Sequence, residues 1–468
     1  MTGPLAPDLC IIGAGSAGLA VAAGAAQMGA EIALVERGLM GGDCLNFGCV
    51  PSKSLLATAR LVELARRGAA LGITSARPNV CFAAAADGVQ GVIAAIAPND
   101  SVERFEGLGV RVIRREARFT SPRTLRAGDI EIRPRRFVIA TGSYPAVPAI
   151  PGLADVPYLT NETIFANRER PDHLIVIGGG PIGVEMAQAH RRLGAQVTVL
   201  DVGPVLPRDD AELVASLASH LAGEGIALRP GVEIAGIERN GKGVVARLAN
   251  GERVAGSHLL VAAGRRPSIE ALDLPAAGIE ATAQGITVDA RLRTSNRRAF
   301  AIGDVAGGPQ FTHIALYHAG IVIRNALFRL PAKVDYRALP WVTYTDPELA
   351  QVGLTEAAAG GDARVLRWPF SENDRAQTER DTEGLVKVVL GGNGRIFGAS
   401  ILGTGAGDLI LPWALAIAQR LRIGALANLI VPYPTRGEAS KRAAGCYYTP
   451  TLFSPRTRRL VRFLARFG

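Results

Sequence analysis

The stretch that decides the fold is "DLCIIGAGSAGLAVAAGAAQMGAEIALVER", residues 8–37. A short apolar run is followed by Gly13, Gly15 and Gly18, then by an alanine-rich segment and a second apolar run that ends at Glu36. A strand, a glycine turn, a helix and a second strand in this order predict a nucleotide-binding βαβ unit. Gly13 permits the tight turn, Gly15 lets a pyrophosphate approach the backbone, and Gly18 lets helix and strand pack closely.

Two further features of this unit favour a bound dinucleotide over a glycine-rich turn without a ligand. The N-terminus of the predicted helix offers free N–H groups and the positive end of the helix dipole to a phosphate. Glu36 closes the second strand, where a carboxylate can accept hydrogen bonds from both hydroxyls of a ribose.

The same unit recurs at residues 173–201, "HLIVIGGGPIGVEMAQAHRRLGAQVTVLD". Gly178, Gly180 and Gly183 follow an apolar run, and Asp201 closes the next one. Two matched units predict two dinucleotides and therefore a flavin enzyme that also uses a nicotinamide.

The acidic residue of the second unit bears on which nicotinamide is used. Asp201 favours a ribose with a free 2′-hydroxyl and repels a 2′-phosphate, so NAD(H) is expected. NADP(H) is the alternative, because the nearby Arg208 could receive a 2′-phosphate unless it is simply a solvated loop residue.

Length and composition limit the class of protein. The 468 residues are too many for one ordinary core and predict several domains, and the 48% apolar content is that of a globular chain. Neither residues 11–30 nor residues 409–418 have the length and apolarity of a membrane span, and the N-terminus has no pattern of a signal peptide. The net charge of +10 favours anionic partners, but no nucleic-acid-binding motif accompanies it, so no nucleic-acid partner is expected.

The segment "GGDCLNFGCVPSK", residues 41–53, contains Cys44 and Cys49 just after the first unit. Metal binding, a structural disulfide and a redox-active disulfide are the alternatives. The spacing is not that of a zinc knuckle, the chain offers no second ligand pair, and no metal site is predicted. A helix that starts beside the pair would lower a thiol pKa, which favours an electron relay. Cys10 and Cys81 have apolar neighbours and are predicted to be small core residues.

With these features the chain closely resembles the class I pyridine nucleotide-disulfide oxidoreductases, which include dihydrolipoamide dehydrogenase, glutathione reductase and mercuric reductase. The resemblance covers essentially the whole chain. It rests on the cysteine segment and on three further motifs, "FVIATGSYPAVP" (137–148), "VAAGRRPS" (261–268) and "AFAIGDVAG" (299–307).

The resemblance implies roles for the matching positions. Cys49 would be the flavin-proximal thiol, in charge-transfer contact with oxidised FAD, and Cys44 the exchange thiol that meets the substrate. Lys53 would lie near the flavin and pair with Glu185, and Asp304 would bind the ribityl chain. The resemblance also implies further FAD-site residues (Gly13, Gly15, Gly18, Glu36, Lys53, Thr141, Gly142, His313) and NAD-site residues (Gly178, Gly180, Gly183, Asp201, Gly264).

The chain departs from its relatives near the C-terminus. Dihydrolipoamide dehydrogenases and glutathione reductases have a His-Pro-Thr segment whose histidine, from the partner subunit, is the acid/base of thiol exchange, followed by a glutamate that orients it. Here the segment is "VPYPTRGE", with Tyr433 at the histidine position and Glu438 at the glutamate position. A tyrosine with a pKa near 10 is a poor base at pH 7.

This departure favours a mercuric reductase-like enzyme, because those relatives have tyrosine at this position and a soft Hg²⁺ ion needs no base. However, the vicinal cysteine pair with which mercuric reductases end is absent here, as is their N-terminal metal-binding domain. We therefore expect a reductase of a disulfide or of a soft thiophilic electrophile. The alternatives are a dihydrolipoamide dehydrogenase, a thiol-independent diaphorase or transhydrogenase, and a membrane-associated redox component.

The C-terminal segment "SPRTRRLVRFLARFG", residues 454–468, has Leu460, Phe463, Leu464 and Phe467 at helical spacing, with arginines on the other faces. The pattern is typical of a basic amphipathic helix on an anionic membrane surface, and packing against its own dimer is the alternative. The expected location is cytoplasmic, with peripheral contact at the inner face of the membrane.

The predicted fold class is α/β, with two Rossmann-like dinucleotide-binding domains for FAD and NAD(P) and a C-terminal α+β dimerisation domain of a homodimer. The predicted parts are an FAD domain, an NAD(P) domain, a return to the central FAD domain, an interface domain and a basic tail (1–150, 151–270, 271–334, 335–453 and 454–468).

Overall fold

The computed structural model describes residues 3–73 and 78–467, and they contain helices, strands and short 3-10 turns throughout. The α-helices are α1 Ser16–Gln27, α2 Gly42–Asn46, α3 Cys49–Arg67, α4 Phe82–Ile96, α5 Val102–Gly107, α6 Pro181–Arg192, α7 Ala211–Gly223, α8 Thr312–Ala326, α9 Glu356–Ala359, α10 Asp374–Thr378, α11 Ala406–Leu409, α12 Leu411–Ala418, α13 Gly424–Ala427, α14 Glu438–Gly445, α15 Thr449–Leu452 and α16 Pro455–Leu464. The 3-10 helices are Gly68–Leu71, Ala97–Asp100, Leu153–Asp155, Ile164–Ala166, Glu270–Leu272, Leu274–Ala277, Gly303–Ala306 and Phe370–Glu372.

The strands are mostly short and alternate with the helices in the first two thirds of the chain. They are β1 Leu9–Ile12, β2 Ile32–Val35, β3 Arg111–Ile113, β4 Ala117–Ser121, β5 Thr124–Ala127, β6 Ile130–Ile132, β7 Arg136–Ile139, β8 Ser143–Pro145, β9 His173–Ile177, β10 Gln196–Leu200, β11 Ile226–Arg229, β12 Ile234–Asn240, β13 Gly243–Leu248, β14 Arg253–Gly256, β15 His258–Val261, β16 Arg265–Pro267, β17 Ala281–Thr282, β18 Gly285–Ile286, β19 Ala299–Ala301, β20 Pro340–Thr343, β21 Glu348–Gly353, β22 Arg364–Pro369, β23 Leu385–Leu390 and β24 Ile396–Gly403.

The chain forms two compact units, one of residues 1–202 and 231–334 and the other of residues 203–230 and 335–468. The five-part division predicted from the sequence has other boundaries and stays a prediction.

The first unit contains two parallel sheets built from βαβ elements. The first sheet has the strand order β19-β7-β1-β2-β3, with every neighbouring pair parallel. All four residues of β1 are buried, as expected for a parallel strand covered on both faces. In the second sheet β10, β9 and β15 lie in that order and are again parallel. Antiparallel ribbons β4–β6 and β12–β14 and the strand pairs β8–β16 and β17–β18 complete the unit.

The second unit is built on an antiparallel sheet of order β20-β21-β24-β23-β22. Its core is centred on the fully buried Trp413 of α12, whose indole N–H donates to the Ser440 hydroxyl of α14 at 3.0 Å. Parallel α/β sheets in one unit and an antiparallel sheet with helices in the other confirm the predicted fold class.

Candidate redox site

The first glycine loop joins β1 to α1 in a conformation that only glycine satisfies. Gly13 has φ +105°, and a Cβ atom there would lie 2.4 Å from the Ala140 carbonyl oxygen. A Cβ on Gly18 would lie 1.9 Å from the Gly13 oxygen, so both positions exclude any side chain. The loop is therefore fixed by the close approach of β1, α1 and the end of β7.

The second loop, between β9 and α6, repeats this geometry. Gly178 has φ +116°, a Cβ there would lie 2.3 Å from the Ala262 oxygen, and a Cβ on Gly183 would lie 1.9 Å from the Gly178 oxygen. Gly180 faces open space, so a ligand can approach the backbone here. The structure thus builds the two predicted units alike.

The acidic residue of each unit lies against its own glycine loop. Glu36 follows β2 and accepts hydrogen bonds from the backbone N–H groups of Ala14 and Gly38, each at 2.6 Å. Asp201 follows β10 and accepts from the Gly179 N–H at 2.5 Å. Each carboxylate is therefore held at the carboxyl end of a parallel sheet, where such folds bind nucleotides.

The residues of both loops fit a dinucleotide. Gly15 and Gly180 precede α1 and α6, and neither helix has a side-chain cap or an acidic residue in its first turn. The N–H groups of these first turns can therefore donate to a phosphate, and no carboxylate of the turn repels it. A dinucleotide fits either loop on these grounds.

The two cysteines lie at a junction of two helices. Cys44 is in α2, and Cys49 is the first residue of α3, with its sulfur 3.3 Å from the Thr312 hydroxyl at the start of α8. A hydrogen bond from Cys44, then Thr312 and the charge of Lys53, lower the pKa of Cys49 to about 6, although burial opposes the shift. The same hydrogen bond and burial raise the pKa of Cys44. The pair therefore contains one thiolate and one thiol near pH 7.

An ion pair lies on the helices next to this thiolate. The Lys53 ammonium of α3 is 2.8 Å from the carboxylate of Glu185 in α6, and Glu185 is only 3% exposed. The contact joins the cysteine helix to the helix of the second glycine loop, and it brings together two residues that the sequence analysis singled out. Thr312 completes the surroundings of Cys49. The sequence analysis missed it because it is 263 residues away in the chain.

The three further motifs meet around Asp304. Its carboxylate accepts from the Ser143 hydroxyl at 2.6 Å, and burial raises its pKa against the influence of Ser143 and Arg265. Thr141 donates to the Ser268 carbonyl at 2.7 Å, which ties the first motif to the second.

The turn residues of the first two motifs have left-handed backbones. Gly142 and Gly264 have φ +68° and +110°. Each takes part in a backbone hydrogen bond between these two motifs, through its carbonyl oxygen. The β8–β16 pairing continues this contact.

Comparison with known proteins agrees with this geometry. Residues 7–319 match the family model described as pyridine nucleotide-disulphide oxidoreductase, and residues 339–444 match the dimerisation domain of the same family. The chain belongs to the pyridine nucleotide-disulfide oxidoreductase family. It is accordingly an oxidoreductase, and the family is FAD-dependent and uses NAD(P)H.

Curated relatives of this oxidoreductase have two different activities. Mercuric reductase from Streptomyces lividans is 37% identical over 93% of this chain and 95% of its own, and mercuric reductase from Staphylococcus aureus is 36% identical over 93% and 82%. Dihydrolipoyl dehydrogenase from Geobacillus stearothermophilus is 35% identical over 93% and 95%. The identities are too similar to choose a substrate.

Solved structures with the same fold cover nearly the whole oxidoreductase. The Cu(II) complex of the HOCl-induced flavoprotein disulfide reductase RclA from Escherichia coli has a TM-score of 0.85 and 29% identity over 93% of this chain and 98% of its own. LpdA from Mycobacterium tuberculosis has a TM-score of 0.87 and 27% identity over 95% and 99%.

The oxidoreductase has a polar network beside its cysteines that the sequence analysis missed. The carboxylate of Asp43 lies 3.2 Å from the Arg265 guanidinium and accepts from the Asn161 amide at 2.9 Å. The same amide donates to the Phe47 carbonyl at 3.2 Å. Asn161 therefore holds both ends of the turn that contains Cys44, and Arg265 holds its Asp43 end. Arg265 also contacts the Ser143 carbonyl near Asp304.

The two histidines of α8 differ in their surroundings. His313 is exposed and its ring stacks on Phe311 with centroids 5.1 Å apart. His318 is buried, accepts from the Gly303 N–H at 3.1 Å, and has its pKa lowered to about 4 by burial. His318 therefore holds the loop of Asp304 as a neutral ring.

Tyr433 and Glu438 belong to the second compact unit of the oxidoreductase. Tyr433 is 69% exposed and donates to the Asp374 carboxylate at 2.8 Å, and this hydrogen bond raises the pKa of the phenol further. Glu438 is the first residue of α14 and pairs with Arg442 at 2.9 Å, one turn along the same helix.

One prediction about the remaining cysteines is wrong. Cys10 is buried in β1 as expected, and burial raises its pKa. Cys81 is exposed, because it lies just before α4 and the next residue, Phe82, takes the buried position.

Residues 3–73 and 78–467 contain no group of three or more metal-ligating His, Cys, Asp or Glu side chains. Over the same residues, no helix combines the length and the apolar character that a membrane span requires.

Proposed function

We propose that this oxidoreductase uses NAD(P)H to reduce a disulfide or a soft thiophilic electrophile through Cys44 and Cys49, in the manner of a mercuric reductase. The observation that carries the proposal is the thiol pair at the junction of α2 and α3, where the Cys49 sulfur lies 3.3 Å from the Thr312 hydroxyl. These surroundings lower the pKa of Cys49 and raise that of Cys44. A low-pKa thiolate beside a neutral thiol is typical of thiol–disulfide chemistry.

The cofactor positions follow from the glycine loops. Gly13, Gly15, Gly18 and Glu36 would hold FAD together with Lys53, Thr141, Gly142, Asp304 and His313, and Gly178, Gly180, Gly183, Asp201 and Gly264 would hold the nicotinamide dinucleotide. When bound, FAD would take a hydride from NAD(P)H and supply an electron pair to the cysteine disulfide. Asp201 supports NADH as the preferred donor.

Cys44 and Cys49 then reduce the substrate by thiol–disulfide exchange. Two electrons and two protons convert the Cys44–Cys49 disulfide into two thiols. Cys44 attacks one sulfur of an external disulfide while its proton passes to the leaving sulfur, so that a mixed disulfide forms and the first product thiol is released. The Cys49 thiolate attacks the Cys44 sulfur, re-forms the internal disulfide and releases the second thiol. Lys53 stabilises the Cys49 thiolate by its charge.

Tyr433 supports a soft metal ion as the substrate. Its hydrogen bond to Asp374 raises a pKa that is already near 10, so it is a poor base at pH 7. Hg²⁺ binds thiolates directly and needs no base to be reduced. The net reaction, Hg²⁺ + NAD(P)H → Hg⁰ + NAD(P)⁺ + H⁺, is balanced by the donor alone.

The test is a turnover panel on the purified FAD-loaded enzyme. NADH and NADPH are each combined with Hg²⁺, glutathione disulfide, lipoamide and a quinone. We expect Hg²⁺ turnover with NADH to exceed turnover with the two disulfides. Cys44→Ser and Cys49→Ser should abolish it, and Cys81→Ser, at an exposed cysteine in a different element, should leave it unchanged.

The panel also distinguishes the rival functions. Faster oxidation of dihydrolipoamide by NAD⁺ than any reduction would identify a dihydrolipoyl dehydrogenase, which the 35% identity to such enzymes makes the principal rival. Quinone turnover that survives Cys44→Ser would identify a thiol-independent diaphorase and overturn the proposed role of the thiols.

We infer that the enzyme is a homodimer formed through residues 335–453, because residues 339–444 match a dimerisation domain. Multi-angle light scattering of the holoenzyme should give twice the chain mass of 49.0 kDa. A monomer that retains full turnover would contradict the inference.

We also infer that the C-terminal helix contacts an anionic membrane surface. Every described residue of α16 except Thr457 is exposed, including Leu460, Phe463 and Leu464 at 54–55%. No acidic residue follows Glu438 in the sequence, whereas α16 contains four arginines and Arg466 follows it. Exposed apolar groups among unpaired positive charges suit the interface of an acidic bilayer.

Vesicle sedimentation tests this inference. Holoenzyme should sediment with vesicles containing about a third phosphatidylserine and not with pure phosphatidylcholine. Leu460→Ser with Phe463→Ser should abolish sedimentation without changing NADH oxidation, and Leu429→Ser, at an exposed leucine elsewhere in the second unit, is the control. A changed molecular mass of the double variant would instead identify α16 as a dimer contact.

A further inference from the structure

A cavity of about 280 Å³ lies on the first compact unit at the amino ends of its parallel strands. Asp8 and Leu9 reach it from the start of β1, Arg135 and Arg136 from the start of β7, and Arg298 from just before β19. These three strands are neighbours in one parallel sheet, so their amino ends share one edge. The glycine loop of FAD follows the carboxyl end of β1, at the opposite edge, so this cavity does not belong to the dinucleotide site.

The lining of this cavity, called here the arginine cavity, has a large excess of positive charge. Arg329, which follows α8, joins Arg135, Arg136 and Arg298, and Asp8 is the one carboxylate among the lining residues. Asp8 is already engaged, because it lies 2.8 Å from Arg135 and accepts from the Glu31 N–H at 3.1 Å.

The other three guanidinium groups of the arginine cavity lack such compensation. Within residues 3–73 and 78–467, no carboxylate forms an ion pair with Arg136, Arg298 or Arg329. Burial, followed by repulsion from the three neighbouring guanidinium groups, lowers the pKa of Arg136. Like charges gathered in a concave, partly desolvated place cost free energy, and a bound anion would recover it.

We propose that the arginine cavity binds a small polyanion with phosphate groups, at a site separate from both dinucleotides. Guanidinium groups match phosphate oxygens with paired, charge-assisted hydrogen bonds. The volume has room for a pyrophosphate or for the phosphorylated end of a small metabolite, and it is below the usual range for drug-sized ligands. Asp8, fixed on Arg135, leaves the other three arginines to contact the anion.

The experiment is calorimetric titration of the FAD-loaded enzyme with inorganic pyrophosphate at constant ionic strength. Saturating NAD⁺ is present so that the second glycine loop is occupied. We expect saturable binding, and Arg298→Gln and Arg329→Gln should each weaken it about tenfold or more, the loss of one charge-assisted pair. Arg329 is exposed, so its replacement tests the site even if Arg298→Gln lowers stability.

The control is Arg126→Gln, at an exposed arginine of β5 away from the cavity, which removes the same charge and should leave the affinity unchanged. Sulfate and chloride at the same ionic strength should not replace pyrophosphate. Binding that the Arg298 and Arg329 variants retain in full, or that all three variants lose equally, would overturn the proposal. NADH oxidation is measured in parallel, and its retention by every variant keeps this site distinct from the proposed redox function.

Discussion

At the scale of single residues, the proposed chemistry of this oxidoreductase depends on what surrounds Cys49. The thiolate interacts with Cys44, Thr312, Lys53 and Glu185, and only Glu185 among them acts to raise its pKa. Lys53 and Glu185 carry opposite charges and shift the pKa of Cys49 in opposite directions, so removing each charge in turn tests this effect.

Lys53→Met should raise the pKa of Cys49 above about 6, because the positive charge that favours the thiolate is lost. Glu185→Gln should lower it, because the carboxylate disfavours the thiolate. The measurement is the pH dependence of iodoacetamide alkylation of the reduced enzyme. Lys242→Met, at an exposed lysine of the β12–β13 turn, is the control. Shifts of the same sign in both variants would contradict a through-space charge effect.

Asn161→Ala should destabilise the enzyme by about 1–3 kcal/mol, because it leaves Asp43 and the Phe47 carbonyl without the donor that joins them. Asn161 is 7% exposed, so water replaces the amide poorly. Urea unfolding of the holoenzyme measures the loss, and exposed Asn250→Ala is the control. Thiol exchange should slow as well, since the turn with Cys44 loses its anchor, and an unchanged rate would limit Asn161 to stability alone.

At the scale of elements, the second unit holds α7 against its sheet with buried charge. Lys387 of β23 is 2% exposed and lies 2.8 Å from Asp210, which caps α7 and is 3% exposed. Glu212 and Glu356 approach the same ammonium within 2.8 Å. The buried ammonium compensates the charge of the three carboxylates, so its removal alone would leave the buried carboxylate of Asp210 without a partner and would lower the stability.

Lys387→Met should therefore destabilise the second unit by about 3–5 kcal/mol, because Asp210 would stay buried without a partner. The double variant Lys387→Met with Asp210→Asn should recover part of the loss. Urea unfolding of the wild type, of Lys387→Met, of Asp210→Asn and of the double variant gives the coupling energy. Additive losses would show that the two groups do not stabilise each other.

The histidine of α7 makes this element sensitive to pH. Burial opposes the charge of His220, but hydrogen bonds to Glu224 and Glu383 raise its pKa from 6.5 to about 9. The folded state thus binds the proton more tightly, so the stabilisation is complete below pH 6.5 and is lost as pH rises to 9.

His220→Gln should remove this dependence, so that the wild type loses on the order of 2 kcal/mol more than the variant between pH 6 and pH 9.5. The free energy of unfolding in urea at both pH values is the measurement. His258→Gln, at a histidine of β15, is the control. A variant that loses stability as steeply as the wild type would rule out the His220 proton.

At the scale of the whole molecule, the proposed function draws on residues that lie in different compact units. Cys44 and Cys49 lie in the first unit, and Tyr433 lies in the second. If assembly brings a residue at position 433 to the thiols, as the family resemblance implies, then Tyr433→His supplies the missing base.

Tyr433→His should raise kcat/KM for lipoamide or glutathione disulfide by at least about tenfold, and the profile should gain a pKa near 6.5. Hg²⁺ turnover should not gain in the same way, since thiolates bind the ion without a base. Tyr433→Phe is the control that removes the hydroxyl alone. Equal disulfide turnover of the wild type and both variants would exclude position 433 from exchange.

Much of the fold and of the candidate site follows from local spacing. Gly18 is required because a Cβ there would collide with the Gly13 carbonyl oxygen within one βαβ unit, and the same holds for Gly183 and the Gly178 carbonyl oxygen. Such constraints are visible in the sequence because all their parts lie within about thirty residues. The prediction for Cys81 was wrong since apolar neighbours in sequence do not fix which residue faces the core.

The sequence by itself determined the family, the two dinucleotide loops and the cysteine pair, because each depends on residue types at short, fixed spacing. Only the tertiary structure decided what surrounds the cysteine pair, namely Thr312 on Cys49 and Asn161 and Arg265 on Asp43. It also decided which arginines gather at the arginine cavity, on the opposite edge of the sheet. These contacts join residues that are more than a hundred positions apart, and chain folding alone selects which distant polar groups share one buried place. The fold therefore determines the electrostatics of the site, and the sequence determines which reactive residues it contains.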